Sequence, residues 1–147
     1  MVLYRIIYSS YASPSLGYED LKEIMERSQT NNSRDGITGF LCYRDSMFLQ
    51  VLEGDRQIVS KTYHRIAQDK RHHNPEIIEA VPIEERLFGL WSMRAIRLGD
   101  LGAERAQHLI LKHSISSSFK PNMMTPKQCL DFFTEFIGNR RVLPGGK

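Results

Sequence analysis

The chain has 147 residues, 41% of them hydrophobic, and 20 basic against 17 acidic side chains give a net charge of +3. That length suits one domain with a real core, and so small a charge, with both signs interspersed, argues against a nucleic-acid surface. Cys42 and Cys129, far apart and in no metal or redox spacing, point to reduced thiols in the cytoplasm, while no apolar run nears the ~20 residues of a membrane span and Arg5 breaks an N-terminal run that lacks a signal-peptide cleavage site.

Leu3 to Ser9 reads as a strand, with Tyr4, Ile6 and Tyr8 on one face and Leu3, Arg5 and Ile7 on the other. After a loop marked by Pro, Ser and Gly, residues 18–30 space Leu21, Ile24, Met25 and Ser28 as the inward stripe of an amphipathic helix, which runs out in Asn31-Asn32-Ser33. Asp35-Gly36 turns the chain into Ile37 to Glu53, two apolar runs split by Arg44-Asp45-Ser46, and this pattern predicts a β-hairpin. Gln50 stands in the middle of the second run. An amide buried there without partners costs on the order of 2 kcal/mol, so both its donor and its acceptor call for partners.

A second helix follows, with Asp55 as N-cap and Ile58, Val59, Thr62, Tyr63 and Ile66 inward, ending near Asp69 to His73. Ile77 to Ile83 reads as a strand whose Pro82 indicates an edge or a bulge. Leu90 to Leu98 alternates as a fifth strand with Trp91, Met93 and Ala95 on one face. The order β-α-β-β-α-β-β predicts an α+β, ferredoxin-like five-stranded mixed sheet with two helices on one face. Beyond Gly99, Leu101 to His113 and a segment opened by the capping box Thr125-Pro126-Lys127-Gln128 read as two more helices. They are expected to cover the open sheet face or to form a subunit interface. Residues 1–98 then make the core, 99–139 the helical pair and 140–147 a flexible tail.

Few familiar chemistries survive this placement. The five histidines, His64, His72, His73, His108 and His113, have no ligand spacing, so no metal site is expected. Cys42 lies inside a strand without a neighbouring base and reads as a buried hydrophobe. No phosphate-cradling glycine motif occurs. An RNA-recognition module would need aromatic and basic residues where the chain has MFLQVLEG, and a phosphohydrolase of this fold would need a glycine and arginine anion loop where it has SSYASPSLG.

What remains is a set of polar and aromatic residues aimed between sheet and helices. Tyr8 ends one strand, Gln50 shares a face with Phe48 and Leu52, and Trp91 and Met93 share a face of the last strand. Asn31 and Asn32 add two amides, and Ile24 and Ile66 offer flat apolar walls. A core with a few satisfied polar groups accounts equally well for any single one of these residues. Taken together they suit a planar ligand whose edge carries carbonyls and ring nitrogens, as a flavin isoalloxazine does.

The segments LYRIIYSS, NNSRDGITGFLCY, MFLQVLEG, YHRI, the DKRHH run and WSMR resemble the BLUF domain, a family of blue-light sensors that use FAD. The resemblance covers residues 2–98, and the two C-terminal helices are similar to those of short family members without a fused output domain. It implies that Gln50 bridges Tyr8 and the flavin N5/O4 edge, and that Asn32 holds the pyrimidine edge with Asn31 beside it. Arg65 and Asp69 match positions near a flavin carbonyl and the ribityl chain, while Ser28, Ile24, Ile66 and Phe48 match positions enclosing the ring. It further implies a photoreceptor and not an enzyme: an electron and a proton leave Tyr8, return after Gln50 has rearranged, and leave a reversible red shift. Trp91 and Met93 would carry the change outward. FAD is the implied cofactor, with FMN or riboflavin equally able to supply the ring. The implied partners are further copies of the chain in a ring-like homo-oligomer and a separate response-regulator-like effector, with neither nucleic acid nor membrane. Two alternatives are a flavin-dependent oxidoreductase, which would need a substrate acid, base or nicotinamide motif, and a cysteine-adduct flavin photoreceptor, which would need a cysteine beside the ring.

Overall fold

The computed structural model describes residues 1–145, with side chains through residue 137. Five strands, β1 (Leu3–Ala12), β2 (Thr38–Arg44), β3 (Met47–Asp55), β4 (His72–Pro82) and β5 (Arg94–Arg97), form one sheet in the order β4-β1-β3-β2-β5. All neighbours are antiparallel except β2 and β5. This is the expected α+β ferredoxin-like arrangement with an added fifth strand.

The hairpin is tighter than its polar break indicates. Arg44 pairs with Met47, so only Asp45 and Ser46 turn the chain, with φ of 52° and 62°. Two positive φ values in a two-residue loop define a type I′ turn, whose twist matches that of the flanking strands.

Helices α1 (Tyr18–Asp35) and α2 (Arg56–Ala67) pack on one face of the sheet, burying Leu21 and Val59 against Ile6, Tyr8, Leu41, Phe48 and Leu52. Helices α3 (Ala103–His113) and α4 (Pro126–Gly145) cover the other face, where Leu109, Ile110, Phe132, Phe133 and Phe136 meet Ile7, Phe40, Cys42, Leu49 and Val51. Each fully buried phenylalanine of α4 contributes roughly 1.5–3 kcal/mol through area removed from water. The start of α4 is the reciprocal cap read from sequence. Thr125 N–H donates to Gln128 Oε1 at 2.9 Å and Gln128 N–H to Thr125 Oγ1 at 3.1 Å.

Besides β1, which runs past Ser9 to Ala12, and α2, which stops at Ala67 short of Asp69, four boundaries differ from the sequence reading. First, α1 does not run out at Asn31 but continues to Asp35, where Gly36 closes it in the left-handed region at φ 70°. Asn, Ser and Asp are poor helix formers, yet burial of Asn32 and the glycine stop outweigh propensity. Second, β4 begins at His72 and not at Ile77, because irregular pairing with β1 and the positive φ of Asn74 let an edge strand absorb Pro75. Third, β5 is only four residues long, and Leu90 to Met93 precede it as loop. Fourth, the backbone is helical through Gly145, across most of the expected tail from residue 140, while residues 146 and 147 lie outside the described residues.

Candidate functional site

Strand alternation and two helix stripes converge on a cleft of about 220 Å³ between the sheet and α1/α2. Its floor is Tyr8 from β1, Leu41 from β2, and Phe48 and Gln50 from β3. Ile24, Arg27, Ser28, Asn31 and Asn32 of α1 form one wall. Arg65 and Ile66 of α2, with Asp69, Arg71 and His72 beyond it, form the other. All eight side chains expected around a ring, Ile24, Ser28, Asn31, Asn32, Phe48, Arg65, Ile66 and Asp69, are therefore brought together here.

Tyr8 and Gln50 are direct cross-strand partners in the β1–β3 register, at 3% and 2% exposure. The Tyr8 hydroxyl donates to Gln50 Oε1, and Gln50 Nε2 donates to Met93 Sδ at 3.5 Å. The Gln50 amide thus meets an oxygen donor on one side and a weak sulfur acceptor on the other. Burial, with Tyr63 and then Asp69 adding to it, pushes the Tyr8 phenol far above the usual tyrosine range and keeps it neutral. The Tyr63 ring stands edge-on to Tyr8 with centroids 5.2 Å apart.

Trp91 does not join this group, contrary to the expectation that it and Met93 share a strand face. Met93 is buried on the cleft side of the sheet, whereas Trp91 packs into the opposite core, edge-on to Phe40 with centroids 5.9 Å apart and beneath the Arg94 guanidinium. The cause is local: residues 91–93 are not strand, so period-2 alternation does not govern them. Cys42 also faces that opposite core, where burial raises its thiol far above the usual range. Its alternate neighbour Leu41 faces the cleft.

The cleft mouth is charged and cross-tied. Arg71 donates to Asp69 at 2.6 Å and to Glu23 of α1 at 2.9 Å, and the Arg71 hydrogen bonds hold the Asp69 carboxyl below its usual range. His72 joins Ser10 of β1 at 2.8 Å to the Ile66 carbonyl at 2.5 Å. A carbonyl only accepts, so Nε2 carries a proton and the Ile66 wall is tied to the sheet.

Arg27, Leu41, Arg71 and His72 were not singled out from sequence. Leu41 was within reach, since it lies opposite Gln50 in the hairpin register. Arg71 and His72 sit in the DKRHH run, which entered as part of the family resemblance and, through its histidines, as candidate metal ligands, with no contact to the cleft assigned to either. Among the described residues, no three or more His, Cys, Asp or Glu side chains gather as a metal site, and no helix is long and apolar enough to cross a membrane.

A family model described as sensors of blue-light using FAD, BLUF, matches residues 3–94. The chain is similar to the photoactivated adenylate cyclase subunit alpha of Euglena gracilis, at 36% identity over 87 residues, 59% of this chain and 8% of that protein. It is similar to the blue light- and temperature-regulated antirepressor BluF of Escherichia coli, at 26% identity over 136 residues, 92% of this chain and 33% of that protein. It thus spans a third or less of these curated relatives. Among solved structures it resembles BlsA in its photo-activated state, with TM-score 0.80 and 26% identity over 90% of this chain and 93% of that one. It also resembles the dark state of BlrB, with TM-score 0.65 and 30% identity over 74% of this chain and 85% of that one.

Proposed function

From the premise that this chain belongs to the BLUF family of blue-light sensors using FAD, we propose that its signal arises when Gln50 exchanges one hydrogen-bond pattern for another beside the flavin. The observation that carries this reading is the Tyr8–Gln50 contact at the floor of the cleft, continued by the Gln50 amide to Met93. The residues around it fit the ring: amides of Asn31 and Asn32, the Ser28 hydroxyl and the Arg65 guanidinium offer donors, and Ile24, Ile66, Leu41 and Phe48 offer apolar walls. These side chains hold FAD non-covalently in this reading, and FMN would use the same ring contacts. In the neighbour "Klebsiella pneumoniae BlrP1 with FMN and cyclic diGMP, no metal ions", FMN accompanies a structure with TM-score 0.64 and 30% identity.

When bound, the flavin supplies the blue-light absorption and, once excited, a strong oxidant. Tyr8 would be the electron donor to it, with Gln50 Oε1 as the adjacent acceptor for the phenolic proton, and would recover both as the amide settles. An amide carries donor and acceptor on one rotor, so the Gln50 site supports two hydrogen-bond patterns of similar energy. In one pattern Oε1 accepts from Tyr8; in the other Nε2 donates to the Tyr8 oxygen and Oε1 is released toward Met93. Because Met93 Sδ accepts only weakly, the restraint opposing rotation is small.

In this reading the chain is a photosensor and not an enzyme, and it spans only 8% of the cyclase subunit it resembles. Two relatives are named for their output, one as an antirepressor and one as a photoactivated adenylate cyclase subunit. Output from this chain correspondingly passes by contact to an effector of the response-regulator type, with self-association into a ring. Support for an outward route is that Met93 touches Gln50 directly and leads into β5. Trp91, in the opposite core, has the role of a read-out on the α3/α4 side in this scheme.

One spectrum tests the reading. Purified protein is yellow in the dark and, under blue light, shifts its flavin absorption reversibly to the red. Bleaching in place of a shift refutes the reading.

A further inference from the structure

Glu53 is fully buried on the sheet face opposite Gln50, a carboxyl group for which the light chemistry has no use. A charge in that position persists only where donors surround it. Glu53 Oε1 accepts from the Phe88 N–H at 2.9 Å and the Thr38 hydroxyl at 3.3 Å, and Oε2 accepts from the Leu87 N–H at 3.0 Å and lies 3.9 Å from Arg5 Nη1. Arg86 Nη1 donates to Thr38 Oγ1 at 3.0 Å and to the Glu53 carbonyl at 3.4 Å. Three consecutive loop residues, Arg86, Leu87 and Phe88, are thereby bound around one strand residue.

The tie continues to the switch. The Trp91 N–H donates to the Phe88 carbonyl at 3.1 Å, and the Trp91 carbonyl accepts from the Gly39 N–H at 3.1 Å. Two residues later, Met93 lies 3.5 Å from Gln50 Nε2 through its sulfur, and its carbonyl accepts from Gln29 Nε2 at 3.1 Å. Glu53 and Gln50 sit three residues apart on β3 with side chains on opposite faces, and the loop that contacts both runs along the β2 side of the sheet, where Gly39 holds the Trp91 carbonyl.

We propose that Glu53 is a positioning residue of the light switch. Its carboxylate fixes the β4–β5 loop, and the loop in turn holds Met93 against the Gln50 amide and sets how fast that amide returns after light. This rests on the reading of Gln50 as the moving group.

Glu53→Gln replaces one acceptor oxygen with an NH₂ donor, so at least one of the Leu87 and Phe88 N–H groups loses its acceptor. In the flavin-loaded variant the red shift is retained, dark recovery is at least threefold faster than in the parent, and the ¹³C-methyl signal of Met93 moves or broadens while that of Met47 does not. Thr38→Val leaves the carboxylate in place and removes only the bridging hydroxyl. It produces the same two changes at smaller size, and it decides the matter if Glu53→Gln does not fold. Parent-like recovery together with an unmoved Met93 signal overturns the proposal. If the parent itself shows no red shift, the reading of Gln50 fails, and the Met93 signal in the same samples still decides whether Glu53 sets the loop.

Discussion

The Tyr8 hydroxyl donates to Gln50 Oε1 between two residues that face each other directly in the β1–β3 register. Backbone pairing, and not side-chain reach, therefore sets their separation, which makes this contact the most constrained part of the cleft. Tyr8→Phe and Gln50→Leu are expected to keep the flavin, since the other cleft residues on α1, α2, β2 and β3 are unchanged, and to lower the light-induced red shift below about a tenth of the parent's. Tyr8→Phe also leaves a buried carbonyl without its donor and costs about 1–2 kcal/mol. Difference absorption spectra and urea melts measure the two effects separately.

Alkaline pH acts on the same phenol. Its folded-state pKa is raised, chiefly by burial, so above about pH 10 the unfolded chain releases this proton while the folded one keeps it. The unfolded state then binds fewer protons, and stability falls as pH rises. Denaturant midpoints taken between pH 8 and pH 11 should decline, and the decline should be shallower in Tyr8→Phe. An equal slope in both proteins removes Tyr8 as its source.

The faces of Tyr8 and Gln50 were legible in the sequence because both residues lie in strands, where period 2 fixes the face, whereas their pairing was implied only by the family resemblance. Leu41 was legible on the same grounds. Trp91 was not, because LWSMRAIRL alternates like a strand while tertiary bonds take its first half away: Gly39 holds the Trp91 carbonyl, and Glu53 holds the loop just before it. A carboxylate recruiting amides more than thirty residues away leaves no local pattern. The end of α1 was missed for the opposite reason. Poor helix formers from Asn31 to Asp35 announce a stop, but the stop signal that counts is Gly36.

Acid pH tests the attachment of α4 to α3. Hydrogen bonds from Lys112 and His113 hold the Glu135 carboxyl below its usual 4.5, with His113 Nε2 at 2.6 Å and Lys112 Nζ at 2.8 Å. A depressed carboxyl contributes stability that is present above the unfolded value and lost as pH falls through the folded one. Melting temperature should drop from pH 5 toward pH 3, and Glu135→Gln should flatten that drop while lowering the plateau above it. Because the group is partly exposed, added salt should shrink the effect.

Two glycines separate close approach from backbone freedom. A Cβ on Gly39 would stand 2.0 Å from the Val51 carbonyl oxygen and 3.2 Å from Met93 Cε, so Gly39→Ala must push β2 off β3 or displace Met93. Nothing lies within 4 Å of a Cβ on Gly36, whose φ of 70° is the only objection to a side chain there. Gly36→Ala is therefore expected to cost about 1–2 kcal/mol, the price of one left-handed residue. Gly39→Ala should cost more, on the order of 3 kcal/mol or above, because the obstacle is rigid backbone in the central strand pair. The two also differ in kind. Gly36→Ala should leave dark recovery unchanged, whereas any Gly39→Ala protein that folds should recover at an altered rate through Met93. Denaturation and recovery measured on both variants check this order, and a Gly39→Ala protein as stable as Gly36→Ala would contradict the tight β2–β3 contact.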